Sequence, residues 1–343
     1  MEFTIGKIRF GRNIPPVIIG EIGINHGGSL DVAKQMVLSA SKAGLQIIKH
    51  QTHIIEDEMI PIAKKTIPGN STKSIYDIMS ECALNEDDEF ELFQYTKSLG
   101  LEFISTPFSR AAVDRLESFG INGYKIGSGE CNNLPLVDYI VSLGKPIILS
   151  TGMNDLRSVK STVSIINNKV PFALLHTTNL YPTPPNLVRL GAMEELAKEF
   201  KKIPFGLSDH TTNSLSSLGA IAKGATIIER HYTDKKSRKG PDIICSMDQR
   251  EAQFLLKDSL ELFKMLGGEK KPAKEEEITI NFAFSSVVTI KNIKKGDVFS
   301  RENIWVKRPG NGEIPASKFE NIIGKTAKNN IPKDTQLKQN DFK

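Results

Sequence analysis

Two histidines, each at the end of an apolar run, are the residues that point most directly to chemistry. His210 ends the run that begins at Ile203, and His231 ends the run that begins at Thr226. The residues between them, 213–224, have the pattern of a short helix that ends in glycine. Consecutive strands of a parallel barrel are neighbours, so both imidazoles would lie at one rim. Such a pair can bind a divalent metal ion, although two histidines that merely hydrogen-bond to backbone groups would give the same pattern.

Lysines and small hydroxyl residues recur at the ends of the other apolar runs. They suit a phosphate or carboxylate ligand, because ammonium groups and hydroxyls donate hydrogen bonds to anionic oxygens. Gly127-Ser-Gly129 adds a turn whose backbone N–H groups can approach an anion. Lys125 and Ser128 have opposite parity, so both reach one pocket only if their strand breaks at Gly127. The candidate anion-binding residues are Lys49, Thr106, Lys125, Ser128, Ser150 and Ser208.

Carboxylates also fall near this rim. Any of them could act as an acid, a base or an anchor for a substrate. The alternative is that one or two simply pair with the lysines, and we favour that explanation for Glu229. The four carboxylates are Glu21, Glu130, Glu229 and Asp242.

Eight short apolar runs must position these side chains. The runs alternate with amphipathic segments and are apolar on both faces, which is typical of parallel strands buried between helices. Eight such units in about 250 residues predict an α/β fold of the (β/α)₈ barrel type. A doubly wound open sheet is the alternative, and the lack of a GxGxxG motif after the first run counts against it. The predicted strands are Val17–Gly23, Ile47–Thr52, Glu102–Phe108, Gly123–Gly129, Pro146–Gly152, Phe172–Thr178, Ile203–His210 and Thr226–Thr233.

The chain is predicted to divide near residue 268. Residues 269–280 combine Pro272 with clustered lysines and glutamates, as linkers do. We therefore predict a barrel over 1–268, a linker over 269–280 and a small β-rich module over 281–343. Within that module Ile293–Ile304 resembles Ile331–Phe342, which indicates internal pseudo-symmetry.

One connection in the predicted barrel is unusually long. It runs from His53 to about Asp87 and contains Pro68-Gly-Asn70. Long loops in compact domains usually serve a function or are disordered, and we expect this one to lie over the barrel mouth.

Charge and composition exclude several classes of protein. The net charge is +5, and residues 281–343 carry 12 Lys and Arg against 6 Asp and Glu. These cations are scattered and lack interleaved aromatic residues, so nucleic-acid binding is not predicted. Cys82, Cys131 and Cys245 are widely spaced, which favours reduced thiols in a cytoplasmic protein. We find no signal peptide and no apolar run of the ~20 residues that a membrane span needs.

The strand-end motifs resemble the sialic acid synthases. The resemblance covers nearly the whole chain and keeps the order of the motifs. Phe282-Ala-Phe284 and Trp305-Val-Lys-Arg-Pro-Gly310 resemble that family's C-terminal domain, which is similar to type III antifreeze proteins. Arg308-Pro-Gly-Asn311 resembles the bacterial N-acetylneuraminate synthases in particular. The other motifs are Glu21-Ile-Gly-Ile-Asn-His26, Lys49-His-Gln-Thr-His53, Ser105-Thr-Pro-Phe108, Lys125-Ile-Gly-Ser-Gly-Glu-Cys-Asn-Asn133, Leu149-Ser-Thr-Gly-Met153, Tyr181-Pro-Thr183, Gly206-Leu-Ser-Asp-His210, Glu229-Arg-His231 and Gly240-Pro-Asp242.

The resemblance implies a condensation of phosphoenolpyruvate with N-acetylmannosamine and water, which gives N-acetylneuraminate and phosphate by C–O cleavage. It implies that His210 and His231 hold a divalent metal ion, manganese first, with magnesium or cobalt as alternatives. The six anion-binding candidates would bind phosphoenolpyruvate. A domain-swapped homodimer would bring Arg308 of the partner subunit to the N-acetyl group of the sugar. The other sugar contacts would be Glu21, Gln51, Asn179, Tyr181 and Asp242. Glu130 is our candidate for proton transfer, and Glu21 is the alternative.

Four other functions fit parts of the pattern. Legionaminic and pseudaminic acid synthases share the scaffold and would take a diacetamido hexose. A Schiff-base aldolase would use Lys49 or Lys125 as its nucleophile, but the flanking hydroxyls favour salt-bridged cations. A metal-dependent hydrolase typically has an HxH motif at the first strand, where this chain has Asn25-His26. The last alternative is a sugar-binding or ice-binding protein on a degraded barrel, and the retention of a full polar rim argues against it.

Overall fold

The computed structural model describes residues 1–69 and 72–343, so Asn70 of the predicted loop turn lies outside the described residues. The chain forms two compact units, Met1–Gly267 and Gly268–Lys343. Each unit encloses a hydrophobic core of its own.

Eight parallel strands of the first unit form a closed barrel in chain order. The ring closes where the last strand pairs with the first, with Ile227 beside Val17 and His231 beside Glu21. This closure excludes the open sheet and confirms the predicted barrel. The barrel strands follow an antiparallel hairpin of β1 (Glu2–Ile5) and β2 (Ile8–Gly11), and they are β3 (Val17–Gly23), β4 (Ile47–Thr52), β5 (Glu102–Pro107), β6 (Tyr124–Ile126), β7 (Ile147–Ser150), β8 (Phe172–Thr177), β9 (Phe205–Asp209) and β10 (Ile227–His231).

Helices surround the barrel and begin at polar caps. Ser29, Asn85 and Asp155 each accept a hydrogen bond from a backbone N–H in the first turn of the helix that follows. Gly44 ends the first helix in a left-handed conformation, which glycine adopts without a steric penalty. No helix in residues 1–69 and 72–343 is long and apolar enough to cross a membrane. The helices of this unit are α1 (Leu30–Ala43), α2 (Ile55–Glu58), α3 (Ile75–Cys82), α4 (Glu86–Ser98), α5 (Arg110–Phe119), α6 (Leu134–Ser142), α7 (Leu156–Ile166), α8 (Leu190–Glu199), α9 (Leu215–Ala222) and α10 (Gln249–Met265).

The N-terminal hairpin closes one end of the barrel, a feature that we did not predict. Phe3, Ile5 and Phe10 are buried in one cluster with the inward-facing residues near the starts of the strands. The rings of Phe3 and Phe10 stack with their centroids 5.1 Å apart. The apolar plug leaves the polar carboxyl ends of the strands as the open rim. The barrel residues of this cluster are Val17, Ile19, Ile47, Ile104, Ile148, Ala173, Leu175 and Ile227.

The second unit is built on a short antiparallel pair. The helix α11 (Glu277–Ala283) precedes β11 (Ser286–Thr289), which pairs with β12 (Ile304–Lys307). α11 covers the end of the predicted linker and crosses the predicted boundary at residue 281. Ile293 and Ile331, the first residues of the two similar segments, face each other in an antiparallel bridge. The core consists of Val287, Ile293, Phe299, Ile304, Ile314, Phe319, Ile322, Ala327, Ile331, Leu337 and Phe342.

Candidate active site

A cavity of about 170 Å³, here called the inner cavity, lies at the carboxyl ends of the barrel strands. Each strand alternates the direction of its side chains, so residues two apart at a strand end face the same way. On β4, Lys49 and Gln51 line the cavity, whereas His50 bonds outward to Glu89 at 3.0 Å. Twelve predicted site residues line the cavity: Lys49, Gln51, Thr106, Lys125, Ser128, Glu130, Ser150, Asn179, Tyr181, Ser208, His210 and His231.

The two lysines share a network of buried ion pairs. Lys49 Nζ lies 2.5 Å from Glu21 Oε2 and 3.5 Å from Glu229 Oε1. Lys125 Nζ lies 3.1 Å from the same Glu229 oxygen and donates to Ser150 Oγ at 2.8 Å. All four charged residues are at most 5% exposed. The predicted pairing of Glu229 with the lysines is therefore confirmed.

Burial and neighbouring charge set the protonation of this network. Burial raises the pKa of Glu21 to about 7, although Lys49 opposes the shift. Burial also acts on Glu229, but Lys125 and Lys49 outweigh it and lower the pKa of Glu229 to about 2. Burial lowers the pKa of Lys125 to about 8. The effect of burial on Lys49 is outweighed by Glu21 and Glu229, which raise its pKa. Glu21 and Lys125 are therefore the groups in the network whose pKa values lie nearest to neutral pH.

The turns after β6 and β7 bring hydroxyl groups to the cavity. β6 ends at Ile126, so the strand does break before Gly127, and Lys125 and Ser128 both line the cavity. Ser128 Oγ accepts a hydrogen bond from the backbone N–H of Gly152 at 3.0 Å. Gly152 has no room for a side chain, since a Cβ there would lie 1.9 Å from Asn179 Oδ1. Glycine at position 152 thus allows the backbone after β7 to pack directly against Asn179 and Ser128.

Glu130 lies at the edge of this cluster with a free acceptor. It opens a short 3₁₀ turn after β6, and its Oε2 is buried without a hydrogen-bond partner. Burial raises the pKa of Glu130 to about 7, and the nearby charge of Glu58 adds to the shift. A carboxyl group with this pKa can both accept and release a proton at neutral pH.

The histidine pair stands at the rim between β9 and β10. The ring centroids of His210 and His231 are 5.3 Å apart, and Tyr181 stacks on His210 at 4.1 Å. His210 Nδ1 donates to the carbonyl oxygen of Thr178 at 2.9 Å. In the neutral ring Nε2 then carries no hydrogen, and its lone pair can bind a metal ion. His231 Nδ1 is buried without a hydrogen-bond partner, and Asp242 Oδ2 lies 3.7 Å from it.

These donors fit a divalent metal ion held by two protein ligands. Burial lowers the pKa of His210 to about 4, and it also lowers that of His231, so both rings are neutral as metal ligands must be. The described residues contain no cluster of three or more His, Cys, Asp or Glu side chains arranged for a metal ion. Substrate oxygens or water would have to complete the coordination.

A second cavity of about 670 Å³, here called the outer cavity, adjoins the first. Gln51, Asn179, Tyr181 and His231 line both, and Asp242 lines only the outer one. The remaining lining is largely apolar and includes residues of the long loop. This placement agrees with the prediction that the loop lies over the barrel mouth. The remaining lining residues are Ile24, Pro68, Gly69, Ile75, Ile78, Met79, Leu180, Pro182, Pro184 and Pro241, together with Phe108, which also lines the inner cavity.

Comparison with known proteins assigns this site to a family. The NeuB family matches residues 36–271, and the SAF domain matches residues 284–343. The chain belongs to the NeuB family. The predicted relationship to the sialic acid synthases is thereby confirmed, and the chain is a synthase of the group that condenses phosphoenolpyruvate with sugars.

Relatives of this NeuB-family chain differ in the sugar that they are named for. The N,N'-diacetyllegionaminic acid synthase of Campylobacter jejuni is 36% identical over 94% of this chain and 99% of that protein. The human N-acetylneuraminate-9-phosphate synthase is 29% identical over 98% of this chain and 95% of that protein. The crystal structure of the sialic acid synthetase of Leptospira borgpetersenii in complex with citrate has a TM-score of 0.75 and 29% identity, and it covers 82% of this chain and 95% of that one.

Asp209, between the cavity residues Ser208 and His210, does not line the inner cavity. It faces outward from β9 and pairs with Arg230 at 2.9 Å. Burial favours a neutral Asp209, but Arg230 and the hydroxyls of Ser216 and Ser217 outweigh it and lower the pKa. The pair joins β9 to β10 directly behind the two histidines.

Thr177 is a lining residue that sequence reasoning missed. It pairs in register with Ser208 on the neighbouring strand, and its buried Oγ1 has no hydrogen-bond partner. The signal was available, because a hydroxyl residue ends the apolar run of β8 just as Ser150 ends that of β7.

Arg308, which we predicted to contact the sugar, lies in the SAF domain. It is exposed and follows directly after β12.

Proposed function

We propose that the protein condenses phosphoenolpyruvate with N-acetylmannosamine and water to give N-acetylneuraminate and phosphate. The observation that carries the proposal is the convergence of two buried lysines, small hydroxyls and two neutral histidines in one cavity. The lysine cluster suits the anionic substrate, and the histidine pair adjoins the larger cavity where a sugar would fit.

Phosphoenolpyruvate would bind where the lysines now pair with Glu229 and Glu21. Ser150 and Ser208 already hydrogen-bond to members of this network, so their hydroxyls are within reach of the same ligand. When Glu21 is protonated, the two lysines exceed the remaining negative charge of Glu229. Anion binding is then favourable, because the charged residues of the network are almost fully buried and their interactions are weakly screened.

His210 and His231 would hold the metal ion, with manganese as the first candidate and magnesium or cobalt as alternatives. When bound, such an ion supplies a Lewis acid for the aldehyde oxygen of the open-chain sugar. The methylene carbon of phosphoenolpyruvate attacks the aldehyde carbon, and water adds to the adjacent enol carbon. The resulting adduct releases phosphate by C–O cleavage, so the lysines position the leaving group and stabilise its charge.

Two carboxyl groups are placed to move protons in this sequence. Glu130 has a free buried oxygen beside Gly127 of the anion-binding turn, and we propose that it exchanges a proton with the reacting centre. Glu21 is the alternative, since it contacts both Lys49 and Gln51. Each has a pKa of about 7, so either can take a proton from water near neutral pH.

A diacetamido hexose is the second candidate sugar. The chain is 36% identical to a legionaminic acid synthase and 29% identical to a neuraminate-9-phosphate synthase. The isoleucines and prolines of the outer cavity would also suit the additional methyl group of a second acetamido substituent. We further propose that the enzyme is a domain-swapped homodimer in which Arg308 of the partner subunit contacts the acetamido group.

The test is phosphate release from phosphoenolpyruvate with N-acetylmannosamine and, in parallel, with a diacetamido hexose. Each reaction is run once with manganese and once with a chelator, and the masses of the products are measured by mass spectrometry. A metal-dependent nine-carbon keto acid from the first sugar supports the primary proposal, and a product only from the second supports the alternative. Failure with both sugars would refute the condensation, and full activity after removal of metal would refute the role of the histidines.

A further inference from the structure

A row of hydrogen-bonded side chains leads from α2 into the inner cavity, and the proposed reaction uses only its inner end. It begins at Glu58, whose Oε2 lies 2.8 Å from His53 Nδ1. His53 Nε2 lies 3.2 Å from Gln51 Oε1. Gln51 Nε2 then donates to Glu21 Oε1 at 3.1 Å.

The His53 ring is held on several sides. Its side chain is 2% exposed and stacks on Phe108, with the ring centroids 4.4 Å apart and the planes 11° from parallel. α2 itself is attached to the barrel, because Asp57 Oδ2 accepts a hydrogen bond from the backbone N–H of Ala111 at 2.9 Å. His53 therefore cannot turn without losing the contact with Glu58 or the stacking on Phe108.

Both nitrogens of this fixed ring face oxygen acceptors, so His53 donates from Nδ1 to Glu58 and from Nε2 to Gln51, and the second hydrogen bond determines which way the Gln51 amide faces. A side-chain amide has an acceptor at one end and two donors at the other, and a half turn exchanges them. With its oxygen bound to His53 and one N–H bound to Glu21, Gln51 has one N–H left for a ligand. A reversed amide would offer an acceptor at the same place. Gln51 lines both cavities, so its orientation is relevant to a sugar that spans them.

We propose that His53 is a positioning residue that fixes the orientation of the Gln51 amide and so selects sugars with an oxygen acceptor at that point. The inference rests on the proposed function and adds a determinant of sugar specificity to it. The row reaches the lysine network through Glu21, but the 2.5 Å ion pair of Glu21 with Lys49 uses the other carboxylate oxygen, and Lys125 is held separately by Glu229 and Ser150. We therefore expect a larger effect on the sugar than on phosphoenolpyruvate.

Two substitutions separate the contributions of the two ring nitrogens of His53. The amide nitrogen of asparagine falls near the position of Nδ1, so His53→Asn retains the link to Glu58 and loses the link to Gln51. Glutamine reaches the position of Nε2, so His53→Gln retains the link to Gln51. We expect His53→Asn to raise the KM for the sugar about tenfold, as the loss of one buried hydrogen bond would. We expect its KM for phosphoenolpyruvate to stay within about twofold of wild type and His53→Gln to restore most of the sugar affinity.

Equal losses in the two variants, a parallel rise in both KM values or an unchanged sugar KM in His53→Asn would overturn the inference. Thermal unfolding of each variant checks that it is folded. Should His53→Asn not fold, Glu58→Ala replaces it, because freeing Nδ1 should give the same selective rise in the KM for the sugar. Wild-type enzyme is assayed first with each sugar. Its inactivity would refute the proposed function, whereas active wild type with an unselective His53→Asn refutes only the role of His53.

Discussion

At the scale of single residues, the site combines charges that would be unfavourable if they were buried alone. Removing one partner of a buried ion pair leaves the other without compensation, which costs more than the pair itself contributes. Glu229 is shared by Lys49 and Lys125, so the ionisation state of each of these groups depends on the others. Their residue types and strand-end positions were predictable, but the sharing of a single carboxylate oxygen was not.

Replacing Lys125 tests the anion site. We expect Lys125→Ala to raise the KM for phosphoenolpyruvate about 100-fold, because a charge-assisted contact in a buried cavity is lost. Steady-state kinetics with varied phosphoenolpyruvate at saturating sugar measures the effect. Lys223→Ala is the control, since Lys223 forms a surface ion pair with Glu194 at 3.0 Å. An unchanged saturation curve for Lys125→Ala would contradict the assignment.

Glu130 gives a pH-dependent prediction for stability. Its pKa is about 7 in the folded protein against an ordinary value of 4.5, so the unfolded state loses the proton first as pH rises. Wild type should therefore lose stability between these two values, while Glu130→Gln should not. We expect the variant to be the more stable by about 3 kcal/mol at about pH 8 and equally stable at about pH 4.

Denaturant unfolding of both proteins across this pH range measures the difference. Glu194→Gln is the control for the loss of a surface carboxylate. If the difference in unfolding free energy between Glu130→Gln and wild type did not change with pH, burial of Glu130 would not perturb its ionisation.

At the scale of elements, the barrel was predictable because its strands are continuous apolar runs separated by capped helices. The hairpin was not, since each of its strands has only four residues and is stabilised by non-local contacts of Phe3 and Phe10 with the barrel interior. Predicted strands that ran too far, such as Gly123–Gly129, included turn residues that face the ligand site. The helices within the long loop, including α3, have no barrel counterpart from which they could be inferred.

Gly152 at the rim and Gly191 in α8 offer a matched pair of substitutions. A Cβ at Gly152 would meet Asn179, Thr177 and Ser128 within 2.8 Å, whereas a Cβ at Gly191 would have no neighbour within 4 Å. We expect Gly152→Ala to lower kcat/KM by about 100-fold through displacement of these groups. Gly191→Ala should stay within about twofold of wild type. Equal activity of the two variants, measured by phosphate release, would show that the rim tolerates the added methyl group.

At the scale of the whole molecule, the chain joins a barrel unit to an SAF unit with a separate core. The sequence indicated this division through its polar stretch near residue 270 and the change of pattern after it. It did not indicate α11, because Glu277–Ala283 mixes glutamate, threonine and asparagine with apolar residues in a segment that is largely exposed. Arg308 belongs to the second unit, so its proposed role depends on assembly.

Mixed dimers test that role. A dimer of Arg308→Ala and His231→Ala subunits has one site with both residues intact if Arg308 of the partner subunit completes each site. Random exchange should then restore about a quarter of the wild-type activity from two inactive parents. Exchange is followed by mass spectrometry of differently tagged subunits. Confirmed exchange without recovery of activity would place Arg308 in its own subunit's site or outside the reaction.

The hairpin that plugs the barrel also limits the route by which substrates enter and products leave. Phe3, Ile5 and Phe10 fill the space at the strand starts, so the described residues leave no opening to the inner cavity at that end of the barrel. Phosphoenolpyruvate, bound at Lys49 and Lys125, would lie deeper than the sugar and would have to arrive before it. A sugar that binds first would block the way, so an excess of sugar should slow turnover. By the same reasoning, the proposed keto acid product would have to leave before a phosphate ion bound at the lysines.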